Sequence, residues 1–416
     1  MPSSAATEFA SSLYVHVPFC AHKCEYCAFY SHPAQGELVN RYVAGLVREL
    51  ELIERPSPLH SVFFGGGTPS LLTLKQWETI LKAMERHGLL GGAEWTVECN
   101  PATVSLDKAR LLRSYGVNRI SMGVQSLDPV LLERLGRIHS REMVFKSFDL
   151  LREAGFESIN LDLIFAIPGQ TLEIWKRTVQ EALSLGSEHL SCYEVIYEED
   201  TPLYAQLQAG EFDVDEALAC DMYEALIDLA AEEGLEQYEI ANFARRSRDN
   251  RDEVPDRACR HNVNYWRGGS FHGLGPSATG YVGGVRMKNW ANTSLYCERL
   301  ERGLRAFELT EQLTPRARAG ETAAFGLRMV AGWPFAAFEQ VTGFDLRQEW
   351  PEEMKELVES GLARMDQERF LLTRRGLRFA DLAAEKFIRI DGQAPSSNLP
   401  EEILQRAEDR VDLEPG

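Results

Sequence analysis

No run of about 18 uninterrupted apolar residues occurs in this chain, so no segment reads as a membrane-crossing helix. Basic charge is scarce beside acid. The sequence holds 44 Lys and Arg against 63 Asp and Glu, a formal net charge of −19. That balance disfavours non-specific attraction to phosphate backbones, although it leaves a local basic groove open. Cysteine is sparse, with eight in 416 residues, too thin for the disulfide framework of a small secreted domain. The stretch from Met1 to Ala10 carries neither a basic segment nor the apolar core of a secretory signal. These absences point to a reducing, cytoplasmic setting. Hydrophobic content of 44% and charged content of 26% are those of a folded globular protein, long enough for one large domain and a smaller one.

The cysteine that is present is concentrated. Cys20, Cys24 and Cys27 fall within Cys20-Ala21-His22-Lys23-Cys24-Glu25-Tyr26-Cys27, while Cys99, Cys192, Cys220, Cys259 and Cys297 are scattered. Thiolates are soft ligands that suit zinc or iron–sulfur clusters. Structural zinc takes four ligands, and no fourth Cys or well-placed His completes this set. Three thiolates on a [4Fe–4S] cluster would leave one iron open to bind something reactive.

From Leu13 to about Ile196, short apolar runs alternate with helical patterns, which argues for βα units and a parallel sheet. Strands are expected at 13–17, 61–64, 94–98, 119–124, 158–165 and 189–196. Helices are expected at 37–54, 73–88, 105–115, 171–185 and 214–234, with a pair over 128–153 broken near His139-Ser140. Asp128-Pro129 supplies an N-cap followed by Pro at the first helical position. Six units make a partial (β/α)6 barrel. A further strand is expected over Tyr238–Phe243, then a mobile polar loop from Arg245 to Arg260 and a Gly-rich segment from Gly268 to Gly284. Helical patterns at 314–331 and 335–341 open a small C-terminal α+β module over 305–392. The barrel with its attached segments occupies 13–300. Residues 1–12 and 393–416 read as loose ends.

In a parallel barrel, chemistry gathers at the C-terminal ends of the strands. The second strand runs into Gly65-Gly66-Gly67-Thr68-Pro69, where glycine lets the backbone approach a ligand. The third ends at Glu98-Cys99-Asn100, and the fourth at Gln125, followed twelve residues on by Arg137. Cys99 reads as a buried small hydrophobe rather than a ligand. Asp162 lies inside an otherwise apolar strand, so it must face a polar cavity or a partner. Downstream stands His261-Asn262-Val263-Asn264-Tyr265-Trp266, an imidazole beside two aromatic rings. Such a histidine is equally at home as a packed core residue or as an axial ligand to haem. His272 and Cys259 are its rivals as iron ligands.

The thiol spacing, with Tyr26 ahead of the last Cys, resembles the radical S-adenosylmethionine (SAM) superfamily. Residues 13–290 resemble its branch containing oxygen-independent coproporphyrinogen III dehydrogenase and a haem-chaperone paralogue. The resemblance implies that Cys20, Cys24 and Cys27 hold a [4Fe–4S] cluster. It implies that Tyr14, Tyr26, Gly66, Gly67, Thr68, Glu98, Gln125, Arg137 and Asp162 contact SAM, with Ile196 and Thr279 matching more loosely. Phe29 stands where the dehydrogenase carries a further Cys, and only 19 residues precede Cys20 where the dehydrogenase has a long arm. The His261–Trp266 element matches the chaperone side. The resemblance therefore implies a haem chaperone using a cluster, SAM and haem. Haem-accepting proteins such as respiratory cytochromes would be its partners, with peripheral membrane contact only through them and no nucleic acid. Monomer and homodimer stay open, as does radical chemistry. The first alternative is oxidative decarboxylation of coproporphyrinogen propionates. A SAM enzyme acting on tRNA is disfavoured by the acidic balance.

Overall fold

The computed structural model describes residues 10–53 and 59–388. The loose end expected over 393–416 lies outside these residues, as does most of the one expected over 1–12. Ala10 is already buried, and Ser12 already belongs to a strand. The chain divides into two compact units. Among the described residues, one holds 10–53, 59–265 and 269–312, and the other holds 266–268 and 313–388.

The larger unit is built on one twelve-stranded sheet. Its strands are β1 (Ser12–Val17), β2 (Ser61–Gly66), β3 (Glu94–Cys99), β4 (Arg119–Gln125), β5 (Ser158–Phe165), β6 (His189–Glu194), β7 (Leu235–Gln237), β8 (Asn242–Arg245), β9 (Phe271–Leu274), β10 (Thr279–Val282), β11 (Val285–Asn289) and β12 (Phe307–Gln312). β1 to β6 are mutually parallel and adjacent in chain order. All six expected strands are present. The sixth ends at Glu194, leaving Val195 and Ile196 on the loop that follows.

One expectation is corrected, and two segments gain detail. The strand placed over Tyr238–Phe243 is instead the pair β7 and β8, joined by a tight turn in which Asn242 N–H donates to Glu239 O. The Gly-rich segment from Gly268 to Gly284 holds two strands. It contains β9, which pairs in parallel with the free side of β1, and β10, which turns back on it. Gly273 and Gly280 permit that approach, because a Cβ on either would strike the opposite backbone. The polar loop after β8 is pinned by Arg246, which makes a bidentate pair with Glu236 at 2.7 and 2.8 Å and donates to Asn250 Oδ1 and the Asp252 carbonyl.

Side-chain alternation divides the sheet into two faces. Outward positions such as Phe64, Trp95, Val97, Leu161, Leu163 and Phe165 are apolar and buried. They pack under helices α1 (Gly36–Glu51), α2 (Leu74–Arg86), α3 (Leu106–Ser114), α5 (Arg141–Glu153) and α6 (Leu172–Ser184), whereas the short α4 (Pro129–Arg134) joins a separate apolar cluster through Leu131, with Ile164 and Val195. Phe64 stacks near Trp77 of α2, and Phe165 near Trp175 of α6, at 5.1 and 5.5 Å between centroids. Caps fix the helix starts. Thr73 and Gln76 close a capping box on α2, and Asp128 accepts from Val130 and Leu131 N–H to start α4. Inward positions are mostly polar: Ser12, Tyr14 and His16; Ser61; Glu94, Thr96 and Glu98; Arg119 and Ser121; Asn160 and Asp162; His189 and Ser191.

The smaller unit, described to Ile388, has its own core of Trp333, Phe338, Trp350, Phe370 and Phe387. Helices over 315–326, 335–342, 346–349 and 351–359 surround a three-stranded sheet of Trp333–Pro334, Ala363–Met365 and Arg369–Leu372. The Trp333 indole N–H donates to the Thr322 and Ala323 carbonyls at 3.1 and 3.2 Å.

Candidate functional site

A cavity of about 630 Å³ opens at the C-terminal ends of β1 to β6. The loop after β1 and the loop after β6 both line it, so the six parallel strands curl around one hollow. Its size is that of a small-molecule or cofactor site.

Twelve of the residues singled out in the sequence line it: Cys20, Cys24, Cys27, Tyr26, Gly66, Gly67, Thr68, Glu98, Gln125, Arg137, Asp162 and Ile196. The thiol loop is held by backbone bonds from Glu25 N–H to Leu135 O and from Leu203 N–H to Glu25 O, at 3.1 and 3.0 Å. Thr68 Oγ1 donates to Cys20 Sγ at 3.7 Å, and Arg137 Nη1 donates to Cys24 Sγ at 3.5 Å. The buried Arg137 Nε has no partner among the described residues. The same arginine donates through Nη2 to Gly123 O at 2.5 Å, and His139 Nε2 donates to Val124 O at 2.9 Å. These two bonds clamp a register shift in β4 that leaves Gln125 at φ 64°, a left-handed conformation costly for a non-glycine residue.

The donor chemistry fits an iron–sulfur cluster. Three soft thiols line one hollow beside a buried cation with a spare N–H. Among the described residues, no group of three or more His, Cys, Asp or Glu is gathered closely enough to hold a single metal ion. A polynuclear cluster takes thiolates set farther apart.

The glycine turn explains itself by contacts. Gly66 has φ 100°, and a side chain there would overlap the His16 ring. A Cβ on Gly67 would lie 2.6 Å from Val17 O. The turn thus seats against the strand that leads into the thiol loop, with Gly67 N–H donating to Val17 O and Thr68 N–H to Phe19 O, at 2.8 and 2.7 Å. Gly66 N–H donates to Glu98 Oε2 at 3.1 Å.

Glu98 and Asp162 face the same hollow with different support. Burial, and then the charge of Asp162, push the Glu98 carboxyl up to about 8. Burial also raises Asp162, but Ser121 and Asn160 donate to it at 3.1 and 2.8 Å and the Arg119 guanidinium opposes the shift. Both carboxyls are thus raised, Asp162 against the opposing pull of its donors and Glu98 with one backbone donor.

Tyr14, Thr279 and His261 do not line the cavity. Tyr14 O–H bonds His16 Nδ1 at 3.0 Å, within the interior. Thr279 is paired with Lys288 in the β10–β11 ladder. His261 corrects the haem-ligand expectation. It is 1% exposed, its Nδ1 bonds Ser61 Oγ at 2.9 Å, and its Nε2 bonds Tyr265 Oη at 2.8 Å. Its ring stacks on Phe63 at 5.2 Å. Burial, then Arg119, hold its pKa down to about 3. It sits against Ser61, the first residue of β2, at the opposite end of the strands from the thiols, and neither ring nitrogen is free. Its rival Cys259 is buried and donates to Glu94 Oε1 at 3.5 Å. The other rival, His272, pairs with Leu13 across β9 and β1.

Sequence reasoning named Ile196 but missed the rest of the rim. Phe29, Ile138, Tyr193 and Ile196 line the cavity yet are 69, 58, 43 and 66% exposed. It also missed that the inward face is polar on all six strands. The signal was available: strands covered by helices on both faces read as continuous apolar runs, and most of these are broken by polar residues at alternate positions, as in Ser12, Tyr14 and His16 or Glu94, Thr96 and Glu98.

Compared with known proteins, the chain matches the radical SAM superfamily over residues 14–182 and the HemN C-terminal domain over 313–379. It is 35% identical to the heme chaperone HemW of Bacillus subtilis over 372 residues, covering 88% of this chain and 96% of that one. It is 33% identical to heme chaperone HemW of Lactococcus lactis, covering 92% and 98%. The match to heme chaperone HemW of Escherichia coli is 38% over 276 residues, covering 65% and 70%. Among solved structures, coproporphyrinogen III oxidase (HemN) from Escherichia coli, a radical SAM enzyme, superposes with a TM-score of 0.77 at 22% identity, covering 92% and 91%.

Proposed function

Because the chain belongs to the radical SAM superfamily, in the branch of the heme chaperones named HemW, we propose that it binds haem at the rim of its cavity and delivers it to haem-accepting proteins such as respiratory cytochromes. The observation that carries this reading is the rim itself. Phe29, Ile138, Tyr193 and Ile196 present apolar surface to water at the mouth of an otherwise polar hollow. Exposed apolar surface gathered at one mouth marks a binding site, and aromatic faces suit a planar macrocycle. Phe29 contributes a ring where a further thiol would make the loop more polar.

Family membership implies a [4Fe–4S] cluster and SAM. Cys20, Cys24 and Cys27 would hold the cluster, whose open iron supplies an anchor for SAM and an electron source. The chain's own residues do the rest. Arg137 offers its spare Nε–H and its charge to a carboxylate or to cluster sulfur. Gly66 and Gly67 allow the backbone to approach an amino group. Glu98 and Asp162 face the cavity as acceptors, and the apolar rim excludes water. His22, exposed on the thiol loop, is an imidazole that lines the cavity, and we assign it the haem iron in place of His261.

Anaerobic haem titration of the cluster-reconstituted protein tests the reading. Haem should bind with a defined Soret band and should pass to an apo-cytochrome. The Phe29→Ser, Ile196→Ser double variant should lose haem about tenfold more readily while keeping its iron and sulfide, as expected for two large apolar contacts. His22→Ala should shift the Soret band, and added imidazole should restore it. Absence of haem binding together with conversion of coproporphyrinogen to protoporphyrinogen would replace this reading by the decarboxylase.

A further inference from the structure

Below the cavity the inward polar residues form a chain of hydrogen bonds whose direction can be read from end to end. Asp162 Oδ1 lies 2.8 Å from Asn160 Nδ2, and Asn160 Nδ2 is also 2.8 Å from Ser121 Oγ. Ser121 Oγ in turn donates to Asp162 Oδ2 at 3.1 Å. A carboxylate is an acceptor, so the amide nitrogen of Asn160 points at Asp162 and its oxygen points away. That oxygen is 2.6 Å from His189 Nδ1 and 3.1 Å from Ser191 Oγ. His189 must therefore carry its proton on Nδ1. Its Nε2 is 2.9 Å from Tyr238 Oη, which also accepts from Cys259 N–H at 3.1 Å. The phenol proton is then available to Nε2, which accepts it when the imidazole is neutral. The burial of His189, fully enclosed, and the nearby Arg119 guanidinium both disfavour an imidazolium. Every member has one role available, and the chain ends on the cavity-facing carboxylate.

We propose that Tyr238, His189 and Asn160 form a one-way hydrogen-bond relay that orients the Asp162 carboxyl as an acceptor facing the cavity, making His189 a positioning residue for SAM. This rests on the reading that the cavity takes SAM. Glu98 has one backbone donor and no such chain, so the two carboxyls are not equivalent. The ligand meets one oriented acceptor. A cationic ligand such as SAM gains most from an acceptor that is already fixed in place, because no reorganisation is needed on binding.

The test is a double-mutant cycle read by calorimetric SAM binding to the cluster-reconstituted protein. His189→Leu should weaken SAM about tenfold, the scale of one charge-assisted contact. His189→Asn, which keeps an amide N–H near the Nδ1 position, should recover most of that loss. Tyr238→Phe, which removes only the phenol proton donor, should weaken binding by a smaller factor and serves if His189→Leu does not fold. In an Asp162→Ala background, His189→Leu should change affinity by less than about twofold, because the relay then has no terminus. An equal tenfold loss in that background, or no rescue by His189→Asn, would overturn the relay. Histidine 15N spectra separate this from the cavity assignment. If the wild-type protein shows the Nδ1–H tautomer at His189 but binds no SAM, the SAM reading fails and the relay stands. If SAM binds and His189 shows the Nε2–H tautomer, the relay fails alone.

Discussion

At the scale of single residues, Cys20, Cys24 and Cys27 are the most exposed of the chemistry to test. Replacing all three by Ala should abolish the iron–sulfur absorbance and reduce iron and sulfide to background. Single Ala variants of Cys99, Cys192, Cys220, Cys259 and Cys297 should leave both intact, and loss of cluster in any one would add a ligand. Glu98 gives a pH prediction. Its carboxyl is raised from an ordinary 4.5 to about 8 in the folded protein. Between those values the folded state binds the proton that the unfolded state has released. Its contribution is therefore present below about 4.5 and is lost as pH rises through about 8. Glu98→Gln should flatten the fall in stability over that window, and should raise stability near pH 8 by an order of a few kcal/mol, measured by urea denaturation of the apo protein. Much of the site was legible at this scale, because thiols, a glycine triplet and a carboxylate inside an apolar strand are costly without a purpose. His261 was not, because a histidine beside two aromatic rings reads the same whether its nitrogens are free or bonded to Ser61 and Tyr265. Only coordinates supply those partners.

At the scale of elements, the βα alternation up to Glu194 was legible from its period, and α4 and α5 from their caps at Asp128 and Ser140. What was not legible was β9. Phe271–Leu274 is four residues long and glycine-interrupted, with no alternation to mark it, and its partner β1 lies at the other end of the large unit. Its position is secured by a group remote in sequence. Glu49 on α1 is 5% exposed and accepts from Gly275 N–H, Asn289 Nδ2 and Tyr296 Oη at 2.8, 2.7 and 2.7 Å. Tyr296 lies on the helix over Thr293–Glu301, so one carboxyl ties four elements. Glu49→Ala would leave three buried donors unmatched, at about 1–3 kcal/mol each, and should lower unfolding free energy by roughly 3 kcal/mol or more. Glu49→Gln should cost less. If Glu49→Ala melted like the parent protein, β9 and β11 would be held by other contacts.

At the scale of the whole molecule, the acidic balance makes a claim of its own. With a formal charge of −19, the protein should show no retention of tRNA in a mobility-shift assay at about 0.15 M salt. Retention would revive a nucleic-acid substrate. Among the described residues no helix is long and apolar enough to cross a membrane. The sheet order has a further consequence, for synthesis. β1 pairs on one side with β2, but on the other with β9, about 250 residues later. At about 5–20 residues per second, a ribosome delivers β9 roughly 10–50 seconds after β1. For that interval the strand leading into the thiol loop has an unpaired edge, open to another nascent chain. Cluster loading that waits for β9 would meet a finished sheet, and loading that precedes it would meet a sheet still able to aggregate.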